Sequence, residues 1–327
     1  MVPHPRWGGG SGLSRAILYV ALFVLILVGL PTLIVLGRWW SRPEKQSEFT
    51  IRLLREDLGK VVEMDLEDYL VGVVAAEMPA DFHLEALKAQ AVAARTYALY
   101  RLDEQKNTSG QEADLSSDFR SGQAWMSAEA QRERWGWYSY LQKRWRIISS
   151  VQATKGEVLI YQGKPIFAAY HSTSGGQTQD AQAYFNEVAY LRGVPSPGEE
   201  GSPYYQTSQH VPWREALALL GLEIPIEPPF SATALFCITE LYPTGRVKTV
   251  EVLGHSFTGR QIREKLGLRS NWFTVATSSD GLLFETRGNG HGVGMSQYGA
   301  QGMAMADYSY QDILHHYYTD VELVKWY

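Results

Sequence analysis

The sequence is poor in cysteine, with Cys237 alone among 327 residues. No disulfide can close within the chain and no thiolate metal cluster can form. Cys237 sits in the apolar run Ala234-Leu235-Phe236-Cys237-Ile238, where a buried structural thiol is expected. Positive charge is not in excess: the net charge is −5, which removes the electrostatic case for nucleic acid as a partner. Internal repeats are absent, and so is carboxylate–histidine spacing of the metal-binding kind. His315 and His316 are adjacent and would face apart on a helix. Neither G-x-G-x-x-G nor G-x-S-x-G occurs, which argues against a phosphate cradle and a nucleophile elbow.

What is present is a globular composition, 45% hydrophobic and 20% charged, enough for a real core. Aromatics are plentiful, 10 Trp and 19 Tyr, rings that serve as core or as stacking platforms for sugars. From Ala16 to Gly37 no charge interrupts the apolar residues. That length suits a spanning helix, which needs roughly 20 residues at about 1.5 Å each. Arg15 bounds the run on one side, and Arg38, Trp39, Trp40 and Arg42 on the other. The expectation is a short head (1–15), a single-pass anchor (16–37), a linker (38–48) and a unit over 49–327. The N-terminus would lie inside the cell membrane and the large unit outside the cytoplasm.

The unit reads as α+β. Phe49 to Met64 has the pattern of a strand pair. Asp65 can cap a helix whose stripe is Leu66, Leu70, Val73 and Glu77, ended by Pro79. A second helix, from about Asp81 to Leu102, carries an alanine-rich stripe. Residues 105–145 give no clear pattern. A hairpin is expected around Gln162-Gly163, a strand at 247–253, a helix near 259–266, and helices from about Ser296 and over Tyr310–Tyr317.

Four places could carry chemistry. Glu77 ends its helix on the apolar stripe. Partial desolvation there raises a carboxyl pKa, as a general acid requires; a glutamate paired with a base is the plainer alternative. Arg95, among alanines, must find a partner, either a protein carboxylate or an anionic ligand group. His171 and Ser172 are neighbours on a strand and point to opposite faces, so they cannot pair as base and nucleophile. The loop Ser172–Gly176 can still offer hydroxyls and N–H groups to a sugar. His291 lies in Gly290-His291-Gly292-Val293-Gly294, where the glycines allow sharp turns and a close backbone approach.

These segments carry a family resemblance. Leu66–Pro79, with Ala75-Ala76-Glu77-Met78-Pro79 at its end, and Glu85–Tyr97, ending in Ala94-Arg95-Thr96-Tyr97, resemble the stage II sporulation protein D family. Tyr170–Thr178 and Gly290–Ala300 agree with it, over roughly residues 49–327. The resemblance implies a lytic transglycosylase that cleaves peptidoglycan glycan strands during engulfment. It implies Glu77 as catalytic acid, with Arg95 acting beside it. The family's Tyr-Leu-Lys contact segment appears as Tyr190-Leu191-Arg192, arginine replacing lysine. His171, Ser172, Gln177, His291 and Gln297 are the remaining candidate substrate contacts in the shared motifs. Some members hold zinc through a histidine and two cysteines, which this sequence lacks, so no metal and no cofactor are expected. Sequences described as amidase enhancers share these motifs. That leaves a second reading, a non-catalytic peptidoglycan-binding protein that assists a cell-wall amidase, and a weaker third, a serine hydrolase using Ser172.

Overall fold

The computed structural model describes Phe49–Tyr327 except residues 106–112, 119, 121, 182–187, 224–235 and 279. Before Phe49 it describes Ile17, Tyr19, Val20, Leu22, Phe23 and Leu25–Gly29. The chain divides into two units, Met1–Glu48 and Phe49–Tyr327.

The expected single-pass helix over 16–37 is not found. Among the described residues no helix is long and apolar enough to cross a membrane. The named element in that stretch is a π-helix of 5 residues, Leu25–Gly29. An apolar run supplies the composition of a span, but crossing also needs a continuous ladder of about 20 residues, and π geometry is a short-range departure from that ladder. The anchor and the membrane localisation inferred from it are therefore corrected. The head (1–15) and linker (38–48) lie outside the described residues.

In the larger unit, β1 (Thr50–Arg55) and β2 (Lys60–Asp65) form an antiparallel pair. The two-residue β3 (Leu115–Ser116) runs parallel on the far side of β1. Helix α1 (Leu66–Glu77) starts at Asp65, whose side chain accepts from the amides of Glu67 and Asp68. It is apolar around most of its circumference and is buried accordingly. Helix α2 (Leu84–Gln105) begins three residues later than its pattern suggests. Ala86, Ala89, Ala91, Ala93, Ala94 and Ala98 are all buried, because small side chains let α1 and the next helix pack closely. That helix, α3 (Ala128–Ala153), is kinked at Gly136, φ 70° and ψ 158°. The three helices pack pairwise against one another.

Strand β4 (Glu157–Tyr161) turns through Gln162-Gly163 into the short β5 (Lys164–Pro165), and β6 (Tyr170–His171) follows. A second lobe then opens. It contains β7 (Gln206–Pro212), α4 (Trp213–Leu220), β8 (Phe236–Leu241), β9 (Val247–Val252), β10 (His255–Thr258), α5 (Gly259–Leu266), β11 (Phe273–Thr277) and β12 (Gly281–Arg287). Its sheets have the orders β10-β9-β8 and β11-β12-β7, and it has its own core around Val250, Ile262 and Phe284. Cys237 is exposed rather than buried. Alternation along β8 turns Phe236 inward and its neighbour out. The chain then returns through β13 (Met295–Ser296), α6 (Gln297–Met305), α7 (Tyr310–Tyr317) and β14 (Glu322–Lys325), which pairs with β4.

Arg95 lies in the main core, fully enclosed. Its Nε and Nη2 donate to the two carboxylate oxygens of Glu67 at 2.8 and 2.7 Å. It also donates to the carbonyls of Val151 and Glu157, while Glu67 accepts from the Gly156 amide and the Tyr327 hydroxyl. The pair joins α1, α2, the end of α3 and β4. Removing one partner strands a charge in a dry core, a loss of about 3–5 kcal/mol, whereas replacing both with apolar residues of similar volume is far milder. Glu67→Ala should therefore lower the urea midpoint of the chain severely, and Glu67→Met/Arg95→Met should recover most of the loss.

Candidate functional site

The end of α1 opens into a pocket of about 310 Å³. Glu77, Tyr97, Gln123, His171, Arg263 and His291 are among its lining residues. These come from α1, α2, the segment before α3, β6, the second lobe's α5 and the glycine-rich turn before β13.

Glu77 is half-buried. Its Oε1 accepts from the Ala124 amide at 2.8 Å and its Oε2 from the Gln297 side-chain amide at 3.3 Å. Burial pushes the Glu77 carboxyl above its ordinary value, and the two hydrogen bonds hold it back in part. Both donors are neutral, so among the described residues no cation bonds the acid to fix it as a carboxylate. The Ala124 amide is placed by a close approach: Met126 donates to the Gly72 carbonyl at 3.1 Å, and a Cβ on Gly72 would fall inside the Trp125 indole. Gln297 is the first residue of α6, a helix capped by Ser296.

The opposite wall is built by the parallel pairing of β6 with β13, Tyr170 to Met295 and His171 to Ser296. Gly294 permits it, since any Cβ there would collide with the Ala169 carbonyl. His171 is buried, and its Nδ1 bonds the Val293 carbonyl at 3.1 Å. That contact requires a proton on Nδ1 and leaves Nε2 as an acceptor. No partner for Nε2 is found among the described residues. Burial, then the nearby His291 and Arg246, hold the His171 pKa well below its usual value. His291 accepts from the Val293 amide at Nδ1. Burial and then Arg263 lower its pKa to about 4. Both imidazoles are therefore neutral near pH 7. Gln123 is fixed between Tyr170, which donates to its Oε1 at 2.7 Å, and Tyr69 and Ala94, to which it donates.

The structure thus brings Glu77, His171 and His291 to one pocket, with Gln297 hydrogen-bonded to Glu77. It does not bring the others there. Arg95 is held by Glu67 in the core. Tyr190 packs on the Tyr161 ring and accepts from the Phe167 amide at 3.0 Å. Arg192 is exposed, donates to the Ala189 carbonyl and lies 3.9 Å from Asp320. The Ser172 hydroxyl meets Thr173 at 3.3 Å, and Gln177 offers its carbonyl to Arg246 at 2.9 Å. Among the described residues no group of three or more His, Cys, Asp or Glu side chains could hold a metal ion.

Glu199 carries no motif signal, yet the Ser172–Gly176 loop is built on it. Its carboxylate is buried and accepts from the Ser174 amide at 2.9 Å, the Ser174 hydroxyl at 2.8 Å and the Gly176 amide at 2.7 Å. The Ser196 hydroxyl adds a bond at 3.0 Å, and so does the hydroxyl of Ser296, the α6 cap. Arg263 and Gln123 were also invisible to motif reading. A cation within an amphipathic helix and a glutamine in a polar stretch have no signature until the fold closes around them.

Residues 55–161 match the family model described as stage II sporulation protein. Over 280 residues the chain is 37% identical to stage II sporulation protein D of Bacillus amyloliquefaciens, covering 85% of this chain and 80% of that protein. The figures are the same for the protein of that name from Bacillus subtilis (strain 168). An amidase enhancer of Bacillus subtilis (strain 168) is 29% identical over 310 residues, 79% of this chain and 40% of the enhancer. The chain belongs to the stage II sporulation protein D family, a sporulation-related cell-wall family.

Glu199→Ala should leave several donors without an acceptor, at roughly 1–3 kcal/mol for each group left unsatisfied. The expected outcome is a loss of several kcal/mol in a denaturant titration, with faster amide exchange at Ser174 and Gly176.

Proposed function

We propose that this member of the stage II sporulation protein D family is a lytic transglycosylase. It would cleave the bond between N-acetylmuramic acid and N-acetylglucosamine in peptidoglycan. The observation that carries the reading is Glu77: a half-buried carboxyl in a pocket, raised in pKa by burial, whose hydrogen-bond partners among the described residues are neutral.

In this mechanism protonated Glu77 gives its proton to the glycosidic oxygen as the C1–O bond breaks. The resulting carboxylate takes the proton of the muramyl C6 hydroxyl. That oxygen bonds to C1 and closes a 1,6-anhydro ring, with no water consumed. Hydrolases of the two-carboxylate kind need a second carboxyl about 5–9.5 Å away. Among the described lining residues Glu77 is the carboxyl-bearing one, which favours a nucleophile carried by the substrate. The Ala124 amide and the Gln297 amide stabilise the carboxylate formed midway, and so allow one group to serve as acid and then as base.

A second reading has its own support in the likeness to the amidase enhancer: a glycan-binding protein that cuts nothing and speeds an amidase. Digestion of purified glycan strands separates the two. Anhydro-muramyl ends in the mass spectrum are expected; reducing muramyl ends, or no cleavage, would sink the transglycosylase.

Glu77→Gln should reduce cleavage by about 10²–10⁴-fold. Wild-type cleavage should fall as pH rises through the raised Glu77 pKa, because the first step needs the acid form. Stability follows the same proton. With the folded pKa above the unfolded one, the linked stability is complete below the unfolded value and is lost as pH rises through the folded value. The glutamine variant is free of that loss. Above this window it should be at least as stable as wild type in a denaturant titration, while inactive.

A further inference from the structure

Arg263 is a cation lining the pocket whose side chain has no protein partner among the described residues. It is half-buried on α5, and its Nε is enclosed and makes no hydrogen bond. No ion pair, hydrogen bond or ring contact is made by its side chain among the described residues. Its neighbour along α5, Glu264, is held by Arg260 at 2.7 Å. Of the lobe's other arginines, Arg246 donates to the carbonyls of Ser174 and Gln177 and lies over Trp272. Arg269 lies over Tyr204 and Arg287 over Trp272. Holding an unpaired guanidinium partly out of water is unfavourable, and α5 gives no packing reason for it.

The surroundings suit an anion. His171 and His291 share the wall and are neutral. Glu77 lines the same pocket, but its proton affinity is governed by burial, Ala124 and Gln297, whereas Arg263 acts on His291. The guanidinium lies close enough to both imidazoles to disfavour their charged forms. Its planar fork matches a carboxylate in two parallel hydrogen bonds.

We infer that Arg263 forms a subsite for a carboxylate carried by the ligand, and that the second lobe's role at the pocket is to supply it. The inference rests on the glycan reading for the identity of that ligand: the lactyl ether of a muramyl residue ends in a carboxyl group. As a free acid it is a charged partner for the fork; as an amide it is not. Arg263 thereby selects for the state of that substituent, a task separate from the proton transfers at Glu77.

The test is binding of N-acetylmuramic acid and of its carboxamide to the full chain, followed by calorimetry or ligand-observed NMR. Wild type should prefer the acid. Arg263→Gln should weaken the acid about tenfold or more, the scale of a charge-assisted hydrogen bond, and leave the amide unchanged. Arg263→Lys should keep part of the preference. Unchanged melting temperatures would show that the variants fold. An equal loss for acid and amide, no loss for either, or no wild-type preference would overturn the subsite. A chain that distinguishes acid from amide yet yields no anhydro ends would keep the subsite and remove the cleavage reading.

Discussion

The carboxylate of Glu199 is the constraint around which the pocket's second wall is assembled. Without it the Ser172–Gly176 loop has no internal means of satisfying its own amides. A buried loop backbone must find acceptors or unfold toward water. Here one side chain accepts from three groups of that loop, from the Ser196 hydroxyl and from the cap of α6. Since β6 leads into the loop and α6 begins at the cap, a single carboxylate sets His171 and Gln297 in one frame. The position of the Gln297 amide against Glu77 is thus settled some distance from the acid itself.

Helix α1 carries two glutamates in contrasting states. Glu67, at its start, meets a guanidinium, an amide and a hydroxyl in the core. Glu77, at its end, meets one backbone amide and one side-chain amide, then a pocket. The first arrangement compensates a charge completely and fixes helix positions. The second leaves the charged form under-compensated, so burial dominates and the proton is held more tightly. One helix therefore carries a glutamate fixed by an ion pair and a glutamate open to a pocket, set apart by what the surrounding elements bring to each end. Arg95, implied by family likeness to work beside the acid, is spent on the structural end in this structure.

Local rules made part of this legible. Asp65 as a cap, the stripe through Glu77 and the helix Tyr310–Tyr317 all follow from short-range hydrogen bonding and a 3.6-residue period. The Gln162-Gly163 turn follows from two residues with positive φ. Helix α3 was not legible, because Gly136 breaks its period with a non-helical φ/ψ. Cys237 was misjudged because an apolar run does not say which strand face is buried. The membrane anchor expected over 16–37 rests on composition alone, and among the described residues no helix is long and apolar enough to cross a membrane. At the site, Glu77, His171 and His291 stood out from their local settings. Glu199, Gln123 and Arg263 did not, since each owes its environment to residues distant in sequence.

The second lobe makes the division of labour concrete. It sends Arg263 to the pocket and Arg246 to the Ser174–Gln177 turn, and their environments differ as those of the two glutamates do. Arg246 is fully enclosed, bonded to two carbonyls of the Ser174–Gln177 turn and stacked on Trp272. Gly292 must lack a side chain to leave room for it, since a Cβ there would lie 2.7 Å from Cζ. That arginine fastens the lobe to the loop after β6. Fastening is a precondition for Arg263: a guanidinium on a loosely attached lobe would swing into water, where its charge is solvated and its directionality lost. With Arg246 locked, α5 is held against the pocket and Arg263 keeps a fixed position in reduced solvent. The energetic penalty of an unpaired cation is then borne by the folded core of the lobe, and the cation remains available to whatever enters.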